Sequence, residues 1–141
     1  MSIQSVLGTD TLQGKEGPVK TESLNGKYVL IYFSAHWCPP CRGFTPVLAE
    51  FHKAAAASKN FEVVFVSSDR DQKSFDEYYG EMPWLAVPFA ERDLKAKLST
   101  TFKVSGIPML ILIAPDGSVK STEARGLVMG DKTGANFPWG N

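Results

Sequence analysis

Trp37-Cys38-Pro39-Pro40-Cys41 follows an uninterrupted apolar run, Tyr28-Val29-Leu30-Ile31-Tyr32-Phe33, and contains the only two cysteines of the chain. A Cys-x-x-Cys at the point where a buried strand turns into a helix brings both sulfurs together on the first helical turn. One sulfur can then attack a disulfide in another molecule while the other waits to resolve the mixed intermediate. Cys38 is the expected nucleophile. It sits at or just before the helix N-terminus, where free amide groups and the helix dipole favour the thiolate. Pro39 and Pro40 withhold two backbone N–H donors, so stabilisation of that thiolate must lean on the Cys41 amide, its thiol and the dipole. Cys41, one turn inward, is the expected resolving thiol. Loss of Cys41 is then expected to trap mixed disulfides, and loss of Cys38 to abolish the reaction.

Two other uses of such a pair are disfavoured. Structural zinc usually takes four ligands; the chain has no second cysteine pair, and His36 and His52 are its only histidines. An isolated structural disulfide is uncommon in a reducing compartment.

Other residues are candidates to shape the surroundings of the sulfurs. Trp37 precedes the nucleophile and is expected as an exposed apolar lid rather than a core aromatic. Ile107-Pro108 opens a strand, a natural place for a cis peptide. In a fold that turns this bond toward the motif, the Ile107 backbone can pair with an extended substrate segment. Together Trp37, Pro39, Pro40, Ile107 and Pro108 make the expected substrate groove. Tyr32 lies six residues before Cys38 on the buried strand. It suits either a hydrogen bond near the sulfurs or a core position whose hydroxyl finds some other partner. Trp84 fits the core or its rim, and Arg42 a solvated surface.

These residues need a scaffold, and its elements are partly legible. The run from Tyr28 lacks alternation, as expected of a strand covered on both faces. Phe44, Val47, Leu48 and Phe51 have helical spacing, and Pro46 within that helix is expected to kink it. Phe61–Val66 is a second central strand. Ser68 or Asp69 is expected to cap a short helix carrying Phe75, Tyr78 and Tyr79. Residues 82–89 form an apolar connector, and Leu94, Leu98 and Phe102 mark another helix. Met109–Ile113 is a third buried strand, and Pro115-Asp116-Gly117-Ser118 turns into a last strand near Ser118–Thr122. Residues 1–26 are expected as irregular chain, with one short edge strand, packed on or beside a single domain spanning 1–141. Parallel strands joined by crossover helices, with Cys-x-x-Cys at the first β-to-α junction, point to a thioredoxin-like α/β fold: a central mixed sheet flanked by helices.

Composition excludes several classes. With 141 residues, 43% of them hydrophobic, the chain can bury a core without staples. Fifteen basic residues balance fifteen acidic ones, so nothing argues for nucleic acid or an anionic membrane surface. No apolar run approaches the ~18 residues of a membrane span. The opening residues lack a basic stretch followed by an apolar one, so no secretory signal is expected. Cytosol is the default, with the nucleus open, and nothing demands more than a monomer.

The string Tyr32-Phe33-Ser34-Ala35-His36-Trp37-Cys38-Pro39-Pro40-Cys41-Arg42-Gly43-Phe44-Thr45-Pro46 resembles the tryparedoxin and nucleoredoxin branch of the thioredoxin superfamily. So do residues 82–89, Ile107-Pro108 and Asn136-Phe137-Pro138-Trp139. Ordinary thioredoxins carry an aspartate at the place of Tyr32 and Gly-Pro between the cysteines, so the likeness is not to them. The resemblance implies a thiol–disulfide oxidoreductase without a bound cofactor, its electrons carried by a Cys38–Cys41 disulfide. It further implies electrons taken from a low-molecular-weight dithiol such as trypanothione, or from a reductase, and passed to peroxiredoxins or other protein disulfides.

Arg125 matches a position that the tryparedoxin family uses near its substrate. Ser67-Ser68-Asp69-Arg70 replaces the Trp-Asp-Glu pattern of tryparedoxins, and His36 is nearer the nucleoredoxin string. Arg70 is therefore expected to weaken docking of trypanothione, whose polyamine bridge is cationic. The alternative is a nucleoredoxin-like, redox-gated binding module in which the dithiol is a switch. A holdase role draws no support from the modest apolar content.

By analogy with thioredoxin and the glutaredoxins, equilibration with glutathione should give a reduction potential of roughly −200 to −270 mV. A value near the ~−120 mV of DsbA would mark an oxidant and overturn the assignment to reduction.

Overall fold

The computed structural model describes residues 3–139. Its centre is the strand predicted first, β3. In chain order the elements are α1 (Ile3–Leu7), β1 (Thr11–Gly14), β2 (Gly17–Lys20), a 3-10 turn (Thr21–Leu24), β3 (Tyr28–Ser34) and α2 (Pro39–Lys59). They continue with β4 (Phe61–Ser67), α3 (Gln72–Tyr79), β5 (Leu85–Ala86), α4 (Arg92–Thr101), β6 (Met109–Ile113), β7 (Val119–Ser121) and α5 (Ala124–Gly130).

One seven-stranded sheet runs β2-β1-β5-β4-β3-β6-β7. β3 pairs parallel with β4, from Tyr28↔Phe61 to Ser34↔Ser67, and antiparallel with β6, from Val29↔Ile113 to Phe33↔Met109. The thioredoxin-like mixed sheet is thus as expected.

Side chains alternate across a strand, and β3 divides its residues accordingly. Leu30 and Tyr32 enter a core layer with Phe44, Leu48 and Phe51 of α2, Phe75 and Tyr78 of α3, and Val128 of α5. Val29, Ile31 and Phe33 enter the opposite layer with Leu7 of α1 and Leu94 and Leu98 of α4. The absence of alternation in the sequence has this physical cause: both faces of β3 are covered. α2 continues through Pro46 as a single helix. Its last residues give way to Asn60 in the left-handed region, φ 56°, a conformation that asparagine tolerates at a helix end.

Four sequence expectations need correction. Residues 1–26 are not irregular where described, for they form α1, the β1–β2 hairpin and the 3-10 turn. The strands are four residues each, too short for a periodic signal. The turn signal lies in Gly14 and Gly17, which face each other across the hairpin. A Cβ at Gly14 would lie 2.6 Å from Val19 Cγ2, so this close approach requires glycine.

The connector 82–89 contains β5, a two-residue bridge between β4 and β1. Pro83 and Pro88 keep it from growing into a longer strand. α3 begins later than expected. Its N-cap is Asp71, which accepts from the Ser74 amide at 2.7 Å, and Asp69 is employed elsewhere. Finally, α5 follows the last hairpin. Two glycines in its seven residues depress helix propensity, and burial of Ala124 and Val128 against the sheet offsets that cost.

Candidate active site

The chain leaves β3 at Ser34 and enters α2 at Pro39, with Cys38 as the N-cap residue in extended conformation (φ −100°, ψ 107°). Pro39 and Pro40 occupy the first helical turn, where a missing N–H costs nothing. Cys41 completes that turn. The two Cα atoms lie 5.2 Å apart and the sulfurs form a disulfide. Cys38 Sγ accepts a hydrogen bond from the Cys41 amide at 3.3 Å, the one N–H donor that the proline pair leaves available there. Cys41 is wholly buried, whereas Cys38 keeps 5% of its surface exposed.

Trp37 and the Ile107-Pro108 segment border the sulfurs. Trp37 is 51% exposed, yet it is held in place, because its indole Nε1 donates to the Ser68 carbonyl at 3.0 Å. Arg70 lies over its ring, with Cζ 5.5 Å from the centroid. The Ile107-Pro108 peptide is cis, and the Ile107 carbonyl oxygen lies 3.9 Å from Cys38 Sγ.

Three hollows adjoin these groups. One of about 640 Å³ is lined by Gly106, Pro108, Glu123 and Arg125, among others. Another of about 290 Å³ is lined by Pro40, Gly43, Phe44, Arg125 and Met129. The third, about 370 Å³, runs between Trp37, Ser68, Lys95 and Ile107. Ile107 packs against the disulfide, Trp37 and Ile107 line the third hollow, Pro108 lines the first and Pro40 the second. Arg70 stands over the Trp37 ring, and Arg125 lines the first two hollows. Arg42 is exposed, and Trp84 lies in the core.

Two buried polar networks hold this junction, and sequence reasoning missed most of their members. The first centres on Asp69, which is buried beside the loop that carries Trp37. Its Oδ1 accepts from the His36 amide at 2.7 Å, and its Oδ2 accepts from the Ser67 hydroxyl at 2.7 Å. Ser67 Oγ in turn accepts from the Asp69 amide at 2.8 Å. Arg92 Nη1 donates to the Ser67 carbonyl at 3.0 Å. Burial pulls the Arg92 guanidinium below its usual value, opposed by the charge of Asp69. This explains why Asp69 does not cap α3: its carboxylate ties the end of β4 to the end of β3. An acid directly after a buried strand, spaced Ser-x-Asp, was the available signal.

The second network consists of hydroxyls alone. Tyr32 OH and Thr45 Oγ1 are 2.7 Å apart, Thr45 Oγ1 and Tyr78 OH 2.6 Å, and Tyr78 OH and Ser34 Oγ 2.6 Å. Ser34 Oγ closes the ring by donating to Tyr32 OH at 3.2 Å. Thr45 Oγ1, at 3.0 Å, and Tyr32 OH, at 3.2 Å, both lie within donating distance of the Cys41 carbonyl. Burial, reinforced by the neighbouring Tyr78, pushes the Tyr32 phenol well above its ordinary value, so it remains neutral. Both uses open to Tyr32 in the sequence are observed: the ring is buried in the core, and the hydroxyl bonds the Cys41 carbonyl close to the dithiol.

Two sulfurs that form and break a disulfide at a helix N-cap, beside a cis-proline and an exposed tryptophan, define a thiol–disulfide oxidoreductase of thioredoxin-like fold. A thioredoxin-like family model matches residues 25–119. The chain is 53% identical to the tryparedoxin of Trypanosoma brucei brucei over 135 residues, covering 95% of this chain and 94% of that one. The solved tryparedoxin from Trypanosoma brucei superposes with a TM-score of 0.93 at 51% identity, over the full length of both chains. A solved tryparedoxin II complexed with glutathionylspermidine gives 0.88 at 45% identity, over 94% of this chain and 92% of that one. Human nucleoredoxin is 42% identical over 97% of this chain, which spans only 32% of that longer protein. The chain belongs to the tryparedoxin family, within the thioredoxin-like proteins and beside the nucleoredoxins.

Asp69→Ala leaves the His36 amide and the Ser67 hydroxyl without their buried acceptor, which should cost about 1–3 kcal/mol in urea unfolding. Attack by Cys38 on a disulfide, followed by stopped flow, should slow with it. An unchanged midpoint and rate would show that this carboxylate does not hold the loop.

Proposed function

We propose that Cys38 is the nucleophile and Cys41 the resolving thiol of a reductase that moves electrons from a low-molecular-weight dithiol to protein disulfides. The observation that carries this is the unequal burial of the two sulfurs at the N-cap, with Cys38 facing the groove and Cys41 enclosed. In the reduced protein the Cys38 thiolate attacks a substrate disulfide, forming one S–S bond and releasing one substrate thiolate. Cys41 then gives up its proton and attacks Cys38 Sγ, which expels the second substrate thiolate. The substrate gains two electrons and the protein is left as the Cys38–Cys41 disulfide. Reduction by a dithiol reverses the sequence. Cys41 is wholly buried, and its proton passes to the departing substrate thiolate.

Trp37, Pro39, Pro40, Ile107 and Pro108 form the groove. The Ile107 carbonyl, 3.9 Å from Cys38 Sγ, is placed to accept an N–H from an extended substrate segment. The donor class follows from kinship with a tryparedoxin solved with glutathionylspermidine, which supports a trypanothione-type dithiol. A peroxiredoxin is the corresponding acceptor. A dithiol that must be re-reduced at every turnover suits a reducing compartment such as the cytosol or nucleus.

Arg70 and Arg125 are the proposed substrate-contacting charges. Arg70 lies over the exposed Trp37 ring, and among the described residues the one ion pair is His52–Glu62, so no carboxylate neutralises Arg70. Its charge opposes a cationic polyamine bridge. This feature, with the 42% identity to human nucleoredoxin, favours the second reading, a redox-gated binding module.

Stopped-flow turnover with a peroxiredoxin, re-reduced in parallel by trypanothione and by glutathione, separates the two readings. Fast turnover with trypanothione supports the reductase. Negligible turnover, with a partner protein released on oxidation, supports the switch. Arg70→Glu should raise the rate with trypanothione about two- to fivefold, the worth of one exposed charge pair. Unchanged trypanothione kinetics would remove the basis for a specificity role at Arg70.

A further inference from the structure

Tyr78 lies on α3, 37 residues beyond Cys41 in sequence, and touches neither sulfur. We propose that it is a positioning residue for the dithiol, one side chain that holds the backbones on both sides of the redox pair. This inference rests on the roles given above to Cys38 and Cys41.

Two contacts of different kinds support it. The face of the Tyr78 ring stacks on His36, with centroids 5.4 Å apart and planes at 19°. His36 lies two residues before Cys38, in the loop whose position sets the N-cap. The Tyr78 hydroxyl stands 2.6 Å from both Ser34 Oγ and Thr45 Oγ1. Thr45 Oγ1 donates directly to the Cys41 carbonyl, and Ser34 reaches the same carbonyl through Tyr32.

Counting protons shows what the hydroxyl adds. Four hydroxyls carry four protons, and six contacts join them to one another and to the Cys41 carbonyl. The single Tyr78 proton goes to Thr45 or to Ser34. In either case donation runs on to the Cys41 carbonyl, through Thr45 in one arrangement and through Ser34 and Tyr32 in the other. Removing the Tyr78 hydroxyl leaves the ring open, with two polar oxygens short of a partner in a dry site. The carbonyl of the resolving cysteine then loses part of its restraint. Resolution needs Cys41 Sγ in line with the Cys38–substrate bond, and small misplacements at such a step cost rate steeply. Attack by Cys38 on an outside disulfide depends instead on the His36 side, which the ring face maintains.

Tyr78→Phe separates these functions, since it keeps the ring and removes the hydroxyl. The expected result is a resolution step about tenfold slower, with alkylation of Cys38 within about twofold of the parent. The equilibrium with glutathione should move by a similar factor, and a tenfold change corresponds to about 30 mV. Thr45→Val, which breaks the ring at its outlet, should slow the same step. The double variant should be no slower than the worse single one, because both act through one path.

A Tyr78→Phe protein that resolves mixed disulfides within about twofold of the parent, at an unchanged potential, overturns the proposal. If that variant does not fold, parent-like resolution by Thr45→Val overturns it equally. Failure of the parent itself to resolve a mixed disulfide would instead overturn the roles of Cys38 and Cys41.

Discussion

The architecture depends on how a strand with no exposed face becomes a helix. β3 is buried on both sides up to Ser34, so the chain must leave the sheet at its edge and turn at once. The turn exposes helix-end amides that need partners. Two prolines remove two of those amides, and Cys38 Sγ receives the N–H of Cys41. In the disulfide form this contact gives that helix-end amide its partner. The sheet order sets β6 beside β3, which brings the Ile107 carbonyl to 3.9 Å from Cys38 Sγ, and Trp37 stands exposed next to it.

The support beneath the dithiol is polar but uncharged. A buried carboxylate under two sulfurs would disfavour the thiolate next to it. Here Tyr32, Ser34, Thr45 and Tyr78 form a hydroxyl ring, and burial keeps the Tyr32 phenol neutral. The acid that is present, Asp69, lies to the other side and binds backbone rather than sulfur. Rigidity and charge are thus assigned to different networks. Hydroxyls brace the Cys41 carbonyl, and a carboxylate braces the loop before Cys38.

The chemistry of the chain was legible because it is written in consecutive residues. Cys-x-x-Cys after an apolar run places the N-cap, the disulfide and the unequal burial of the sulfurs without tertiary information. Trp37 and Ile107-Pro108 followed once the fold was inferred. What escaped was composed of long-range partners or elements too short for periodicity. Tyr78 has an ordinary helical spacing, and only the packing of α3 against α2 and β3 brings its hydroxyl to Thr45 and Ser34. Asp69 looked like a helix cap because local rules favour one there; the His36 amide from the neighbouring loop outcompetes that use. The β1–β2 hairpin and β5 are stabilised by pairing to the sheet rather than by their own patterns. α5, with two glycines in its seven residues, is helical through burial and against propensity.

The fold sets the two cysteines in unequal places, Cys38 at the N-cap and Cys41 enclosed. Brief alkylation of the fully reduced protein near neutral pH, with each site quantified by mass spectrometry, tests it most directly. The N-cap position and burial predict that Cys38 is modified at least about tenfold faster than Cys41. Equal labelling, or faster labelling of Cys41, would contradict the account.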